Sequence, residues 1–257
     1  MIVESPIVKT FFFHDKLCGK AKPGQFVMTW VPGVDEVPMS LSTIRPSGLS
    51  SITVAEVGEA TKALHQRKPG DPLGIRGPYG NGFTLTSGNV VIVGGGTGLT
   101  PLLPLVEKLV GFSAKVTFLL GAKTKDELLF LERIETSLSK SNLKVFTTTE
   151  DGSYGLKGLV TVLAEQILEK ERFHMIYACG PEQMMHKVFL LAKRHNTPVQ
   201  VSLERIMHCA IGLCGGCMIG KFRACKDGPV FSTEQLREIK NEFGRFKRDF
   251  SGRKTGL

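Results

Sequence analysis

No apolar run in this sequence is long enough to cross a bilayer. Runs such as Val90–Val93 fall far short of the roughly 20 residues a spanning helix needs. The start, MIVESPIVKTFFFHD, has no basic stretch leading into an apolar stretch and a small-residue cleavage site, so no secretory leader is expected. A cytoplasmic chain is the expectation, and there cysteines stay reduced. That turns attention from disulfides to metal for the six cysteines. Internal repeats and low-complexity segments are also missing, which excludes solenoids and linker-like tracts. Strong basic character is missing from the body of the chain. The net charge is +9, but Arg245–Lys254 (RFKRDFSGRK) holds five basic side chains and one acidic, placing +4 in the last residues. A solvated tail or docking arm is expected there, with no nucleic-acid and no membrane partner.

At 257 residues, with 42% hydrophobic and 22% charged side chains, the chain suits two globular domains and a small third module. The first eighty-odd residues read as short strands: VKTFFF (8–13), QFVMTWV (25–31), SITVAEV (51–57) and PLGIRGP (72–78), separated by Pro/Gly turns. That pattern predicts an antiparallel β-barrel, closed by the glycine-rich RGPYGNGF (76–83).

From Asn89 strands and helices alternate. NVVIVGGGTGLTPLLPLVEKLV is a strand, a glycine turn and a helix. KVTFLLGA, LKVFTTT, HMIYACGP and VQVSLER read as further strands. DELLFLERIETSL (126–138), LVTVLAEQIL and EQMMHKVFLLAKRH read as helices. Such alternation predicts a parallel sheet with right-handed crossovers. A last helix is expected at TEQLREIKNEF (233–243). The expected division is a barrel over 1–86, an α/β domain over 87–202, a cysteine module over 203–232, and a helix with basic tail over 233–257.

Gly94, Gly95, Gly96, Thr97 and Gly98 lie between a buried strand and a helix, with Pro101 in its first turn. Glycines let backbone approach a bound group, and a helix N-terminus favours phosphate. Leu99 occupies the last glycine position of a G-x-G-x-x-G fingerprint, so a tight turn without ligand stays open as an alternative. Cys179, Gly180 and Pro181 end a later strand and are expected on the same sheet edge, where nucleotides bind. Ser40, Ser42 and Thr61 are read as hydroxyls beside turns, able to hold a flavin or its phosphates.

Cys209, Cys214, Cys217 and Cys225 have the spacing C-x4-C-x2-C-x7-C, with Gly212, Gly215, Gly216 and Gly220 interspersed. The x4 and x2 spacings match a plant-type [2Fe–2S] loop. Structural zinc is the rival, but it usually uses two close pairs and only Cys214/Cys217 form one. Cys18 stands alone and is expected to pack. A nicotinamide moves electrons as a hydride pair, whereas a [2Fe–2S] cluster moves them singly. A flavin handles both, so a nucleotide crevice and a cluster in one chain imply a flavin between them.

With those residues in view, the chain resembles the ferredoxin reductase-like flavoproteins, and most closely the electron-transfer subunits of heteromeric NAD-linked dihydroorotate dehydrogenase. The resemblance spans nearly the whole chain and is most specific in LERIMHCAIGLCGGC…CKDGPVF (203–231). GGGTGLTPLL and YACGP are similar to the family's nicotinamide-nucleotide lobe. The resemblance implies an N-terminal antiparallel FAD-binding β-barrel, a parallel-sheet nucleotide-binding domain and a C-terminal [2Fe–2S] module. It places FAD contacts at Val37, Pro38, Met39 and Ser40, at Val54, Ala55 and Glu56, and at Ala60 and Thr61. Val37 stands where the family usually has an arginine and Ala60 where it has a glycine, and the first strand is short.

The implied cofactors are FAD, one [2Fe–2S] cluster and NAD(H). The implied partner is an FMN-containing dihydroorotate dehydrogenase catalytic subunit, in a heterotetramer serving pyrimidine (UMP) synthesis. The alternatives are a diaphorase subunit of a hydrogenase or an NAD(P)H:ferredoxin oxidoreductase, some relatives of which use Asp where Cys209 stands. A nucleotide-binding regulator with structural zinc is a third. Lys123 and Lys125 follow the second strand of the sheet and could meet a 2′-phosphate, leaving NAD against NADP open.

Overall fold

The computed structural model describes residues 1–137 and 142–257. Six antiparallel strands come first: β1 (Ile2–Ser5), β2 (Val8–His14), β3 (Phe26–Val31), β4 (Asp35–Ile44), β5 (Leu49–Ala55) and β6 (Gly74–Tyr79), with α1 (Glu59–His65) between the last two. They hydrogen-bond in the order β1-β2-β5-β4-β3-β6. One face of the sheet buries Val27, Val31, Leu41, Ile52 and Val54, and α1 plugs it with Leu64.

Sequence patterning missed β4. Pro38 lacks a ladder donor and reads as a strand breaker, yet it lies in register opposite Met28. Its neighbours Val37 and Met39 pack toward the core containing Leu41, as the two-residue period of a strand requires. Ser40 and Ser42 therefore belong to a strand and Thr61 to a helix, which corrects their expected place beside turns.

The second half is a βα alternation: β7 (Gly88–Gly95), α2 (Leu99–Gly111), β8 (Ala114–Ala122), α3 (Leu131–Ser137), β9 (Leu143–Thr149), β10 (Leu156–Lys157), α4 (Val160–Lys170), β11 (Met175–Cys179), α5 (Glu182–Arg194) and β12 (Val199–Ser202). Helix α3 starts later than 126. Leu128, Leu129 and Phe130 are buried on the way in, and Phe130 adopts a left-handed φ of 62° that no helix continues through. Leu138, the last residue of that expected helix, lies outside the described residues.

The sheet order is β10-β9-β8-β7-β11-β12, all parallel. Alternate residues feed opposite faces. Val91, Val93 and Ile176 pack with residues of α4 and α5, while Val90, Ile92 and Tyr177 pack with those of α2. The sheet is thus covered on both sides, as parallel sheets are.

The cysteine segment holds β13 (Met218–Ile219), β14 (Phe222–Arg223) and α6 (Ala224–Asp227). It leads to β15 (Val230–Ser232), which joins the large sheet antiparallel to β12. Helix α7 (Thr233–Glu238) starts on a capping box, Ser232 with Gln235, and is shorter than expected. The basic segment is not a free tail. It forms a hairpin of β16 (Phe246–Arg248) and β17 (Lys254–Gly256), with Lys247 and Arg248 turned toward Glu182 and Glu242 at 3.9 and 3.6 Å. Those buried carboxylates, remote in sequence, are what the tail reading lacked.

Candidate cofactor cleft and cysteine centre

Strand β7 has β8 on one side and β11 on the other, so successive connections leave in opposite directions and open a crevice at the carboxyl edge. The glycine turn and the Cys179–Pro181 turn meet there because Gly94 pairs with Cys179 in the ladder. A β-carbon added at Gly98 would sit 2.5 Å from the Cys179 carbonyl carbon and oxygen. Gly96 has φ +54°, and a β-carbon there would meet nothing within 4 Å, so it faces open space. These two glycines fix one turn against the other and leave the crevice side bare.

The resulting cleft holds about 370 Å³. Pro38, Met39 and Ser40 of β4, Thr53 of β5 and Phe26 of β3 form the barrel wall. Gly95–Gly98, Thr100 and Pro101 form the turn side, and Cys179–Pro181 the floor. The far wall is Ser202–Arg205, with Met207, Pro229 and Lys247. Ten residues expected from sequence meet here: Pro38, Met39, Ser40, Gly95, Gly96, Thr97, Gly98, Cys179, Gly180 and Pro181.

The remainder lie behind the wall. Val54 is core, with Val37 packed against it. Ala55 packs on the second core, and Gly94 sits under Leu99 and Leu102. Glu56 faces His65 at 3.2 Å. Ala60 is buried in α1. The Thr61 hydroxyl accepts from the Val57 and Gly58 N–H groups at 2.9 and 2.8 Å, closing the start of α1.

Among residues the sequence reading missed, Thr53 could have been found, since it is the outward neighbour of core Val54 on a strand. Ser202–Arg205 follow a parallel strand at the same edge, which is also a readable signal. Lys247 arrives only through the hairpin and has no local signal.

The lining carries its charge chiefly around Glu182. Arg205 donates to both Glu182 oxygens at 2.7 and 3.0 Å, and both side chains are almost fully buried. Gly244 N–H donates to the same carboxylate at 3.0 Å, and Lys247 stands beside it. The buried Thr100 hydroxyl and Arg205 Nε have no protein partner. A bare glycine turn and an orphan hydroxyl suit a phosphate-bearing nucleotide. The Cys179 thiol donates to the Ser202 carbonyl at 3.5 Å. Burial, reinforced by the Glu204 charge, pushes it up to about 12, so it remains a neutral thiol on the cleft floor.

The four cysteines of the loop sort into two pairs. The N–H groups of Leu213 and Cys214 donate to the Cys209 sulfur at 3.4 Å, and Cys225 N–H donates to the Cys217 sulfur at 3.4 Å. The Cys214 backbone N–H chiefly brings Cys209 down to about 6, whereas burial pushes Cys225 up to about 12. Among the described residues no three His, Cys, Asp or Glu side chains converge on a single-ion site. Two thiol pairs with N–H groups aimed at sulfur fit a binuclear [2Fe–2S] centre better than one tetrahedral zinc. Cys214 is exposed, while Cys217 and Cys225 are buried.

Two guanidinium groups hold the loop. Arg76 of β6 donates to the Cys209 carbonyl at 3.1 Å and is itself held by Glu36 at 2.6 and 3.0 Å. Arg223 donates to the Gly212 carbonyl at 3.1 Å and pairs with Asp227. The Asn81 N–H donates to the Gly228 carbonyl at 2.5 Å. The antiparallel sheet therefore grips the cysteine segment directly.

Residues 92–189 match the oxidoreductase NAD-binding domain, and residues 204–237 match the iron-sulfur cluster binding domain of dihydroorotate dehydrogenase B. A protein of Methanocaldococcus jannaschii named "Probable dihydroorotate dehydrogenase B (NAD(+)), electron transfer subunit" is 46% identical, over 99% of this chain and 95% of its own. A like-named protein of Methanothermobacter thermautotrophicus is 43% identical, over 99% and 94%. A solved chain from a study of flavin-based electron bifurcation, an NADH-dependent reduced ferredoxin-NADP oxidoreductase, superposes with a TM-score of 0.81 at 33% identity, covering 94% of this chain and 90% of that one. The Amycolatopsis cytochrome P450 reductase GcoB shares the fold, with a TM-score of 0.66 at 22% identity over 76% of this chain and 63% of its own.

Proposed function

The chain belongs to the family of dihydroorotate dehydrogenase B electron transfer subunits, and from that premise we propose which of its residues carry the electrons and what receives them. It is an NAD-linked oxidoreductase subunit that uses FAD and a [2Fe–2S] cluster and serves pyrimidine synthesis. The chemistry these groups supply when bound is the exchange of a hydride pair for single electrons.

Ser40 and Thr100 offer hydroxyls to the flavin nucleotide from two walls of the cleft, while the Thr53 hydroxyl, which donates to Ser42 at 2.9 Å, braces the barrel wall behind them. Gly95–Gly98 and the Cys179–Pro181 turn receive the nicotinamide nucleotide, whose phosphates face bare backbone. Cys179 excludes water from the floor and holds its proton. Cys209 with Cys214, and Cys217 with Cys225, ligate the cluster, one iron to each pair. The units proposed are 1–86 for flavin, 87–202 for NAD, 203–232 for the cluster and 233–257 as a closing segment.

The partner proposed is a catalytic subunit holding FMN and the orotate site, in a cytoplasmic heterotetramer of two subunits of each kind. The substrate chemistry is assigned to that partner. The pairing of the four thiols beside the nucleotide crevice is the observation that carries this reading.

The test is anaerobic purification with the catalytic subunit, followed by dihydroorotate-dependent NAD reduction. Cys214→Ser abolishes transfer between the subunits and leaves most NADH-to-dye activity. If both activities survive that substitution, the cluster is off the route. A second reading rests on the 33% identical ferredoxin-NADP oxidoreductase. Co-purification with a ferredoxin-linked partner in place of an FMN-binding subunit selects it.

A further inference from the structure

The residues around the exposed cysteine continue into the C-terminal hairpin. Leu213 and Ile211, beside Cys214, are 80% and 50% exposed. A β-carbon added at Gly216 would lie 2.8 Å from the His208 ring and 3.7 Å from the Cys214 sulfur. The His208 ring in turn stands 6.1 Å from that of Phe250, which is 82% exposed at the hairpin turn. Cys214, Gly216, His208 and Phe250 are thus neighbours in a row, and two large apolar side chains project at its ends. Scattered exposed apolar residues are ordinary. A contiguous set around an electron exit marks a contact.

The rim is basic. Lys247 and Arg248 are committed inward to Glu182 and Glu242. Arg245, Arg253 and Lys254 remain on the outside, and exposed Lys226 lies against Gly212 of the cysteine loop. Asp249, the one acid between Arg245 and Lys254, folds its carboxylate into the turn. It accepts from the Ser251 N–H and hydroxyl and the Arg253 N–H at 2.9, 2.7 and 2.9 Å. Nearby Asp227 and Glu36 are tied to Arg223 and Arg76.

We infer that the cysteine-loop tip and the outer face of the hairpin form one docking surface for an acidic face of the catalytic subunit, with Phe250 as its apolar anchor and Arg253 and Lys254 as its steering charges. An apolar centre with a charged rim is the anatomy of a protein interface, whereas nucleic-acid sites are polar throughout. Rim charges speed encounter and make it salt-dependent, and buried aromatic anchors set how long the complex lasts. This inference rests on the family reading of the partner.

The test uses holoprotein and the separately purified catalytic subunit, with association followed by interferometry at low and high KCl. Phe250→Ala weakens binding about tenfold, mostly through faster dissociation. Arg253→Glu with Lys254→Glu slows association about tenfold and flattens its salt dependence. Both variants keep the wild-type NADH-to-dye rate and iron–sulfur absorption, which separates lost docking from lost folding. Wild-type affinity and salt slope in both variants overturn the surface. So does duplex DNA binding that the charge reversal abolishes while subunit association stays unchanged. A wild-type chain that does not bind the catalytic subunit at all refutes the partner reading, and the docking surface with it.

Discussion

Position 98 has no space for a side chain, because a β-carbon would press on the backbone of Cys179 and Gly180, while position 96 has open space and a positive φ. The two glycines therefore answer different demands. Gly98→Ala forces the nucleotide turns apart and is expected to abolish NADH oxidation. Gly96→Ala meets no protein atom and adds backbone strain of roughly 1–2 kcal/mol, but its methyl enters the crevice, so the protein should fold and keep turnover with a raised KM for NADH. Steady-state kinetics on both variants separate these outcomes, and equal damage would remove the close-approach argument.

Thiol reactivity is the second residue-scale prediction. Cys209, lowered to about 6, is mostly thiolate at neutral pH in cluster-free protein. Cys179 and Cys225, both raised to about 12, remain thiols. The thiolate is the nucleophile, so iodoacetamide at pH 7 should label Cys209 and spare Cys179 and Cys225. Peptide mass spectrometry reads this directly, and rapid labelling of Cys179 would contradict its raised pKa.

Among elements, the start of α5 is the most heavily anchored. Glu182 receives Arg205, the Gly244 N–H and Lys247, tying the nucleotide sheet to the cysteine segment and the hairpin. Arg205→Ala leaves a carboxylate buried without its main partner, which costs about 3–5 kcal/mol. Denaturant unfolding should show that loss, and a change under about 1 kcal/mol would mean that water reaches Glu182 easily.

Elements also show where sequence patterning succeeds and stops. The βα alternation after Asn89 is legible because apolar strands alternate with helices that show an apolar face, and β7 and β11 run into glycine turns at Gly94–Gly96 and Gly180. Strand β4 is obscured by Pro38, whose missing donor reads as a break although the ladder tolerates it. The hairpin of β16 and β17 is invisible because its basic residues look solvated until Glu182 and Glu242 come near. Much of the cleft is legible for the same reason: glycine turns and strand ends carry a local signal that extends to Thr53 and Ser202–Arg205, whereas Lys247 arrives only through the hairpin.

At the scale of the molecule, the antiparallel sheet and the α/β part are joined on both sides of the cleft. On one side Glu107 of α2 receives Arg45 and Arg133, at 2.5 and 3.1 Å, and Arg133 also donates to the Ser42 carbonyl at 3.1 Å. On the other, Arg76 reaches the Cys209 carbonyl. The barrel wall of the cleft, the glycine turn and the cysteine loop are thereby fixed relative to one another, which the proposed relay of electrons needs. The exposed thiol lies at the end of this row, and +4 of the net charge of +9 sits in Arg245–Lys254 beside it.

The central claim is that this chain joins two-electron chemistry at the nucleotide cleft to one-electron chemistry at the cysteine loop. An anaerobic NADH titration of the purified holoprotein, followed by absorption and electron paramagnetic resonance, tests it most directly. Wild-type protein should take up about three electron equivalents per chain, two at FAD and one at the cluster, with both absorptions bleaching. Cys214→Ser should take up about two, at the flavin alone. Colourless wild-type protein that carries zinc and takes up no electrons from NADH would contradict the account.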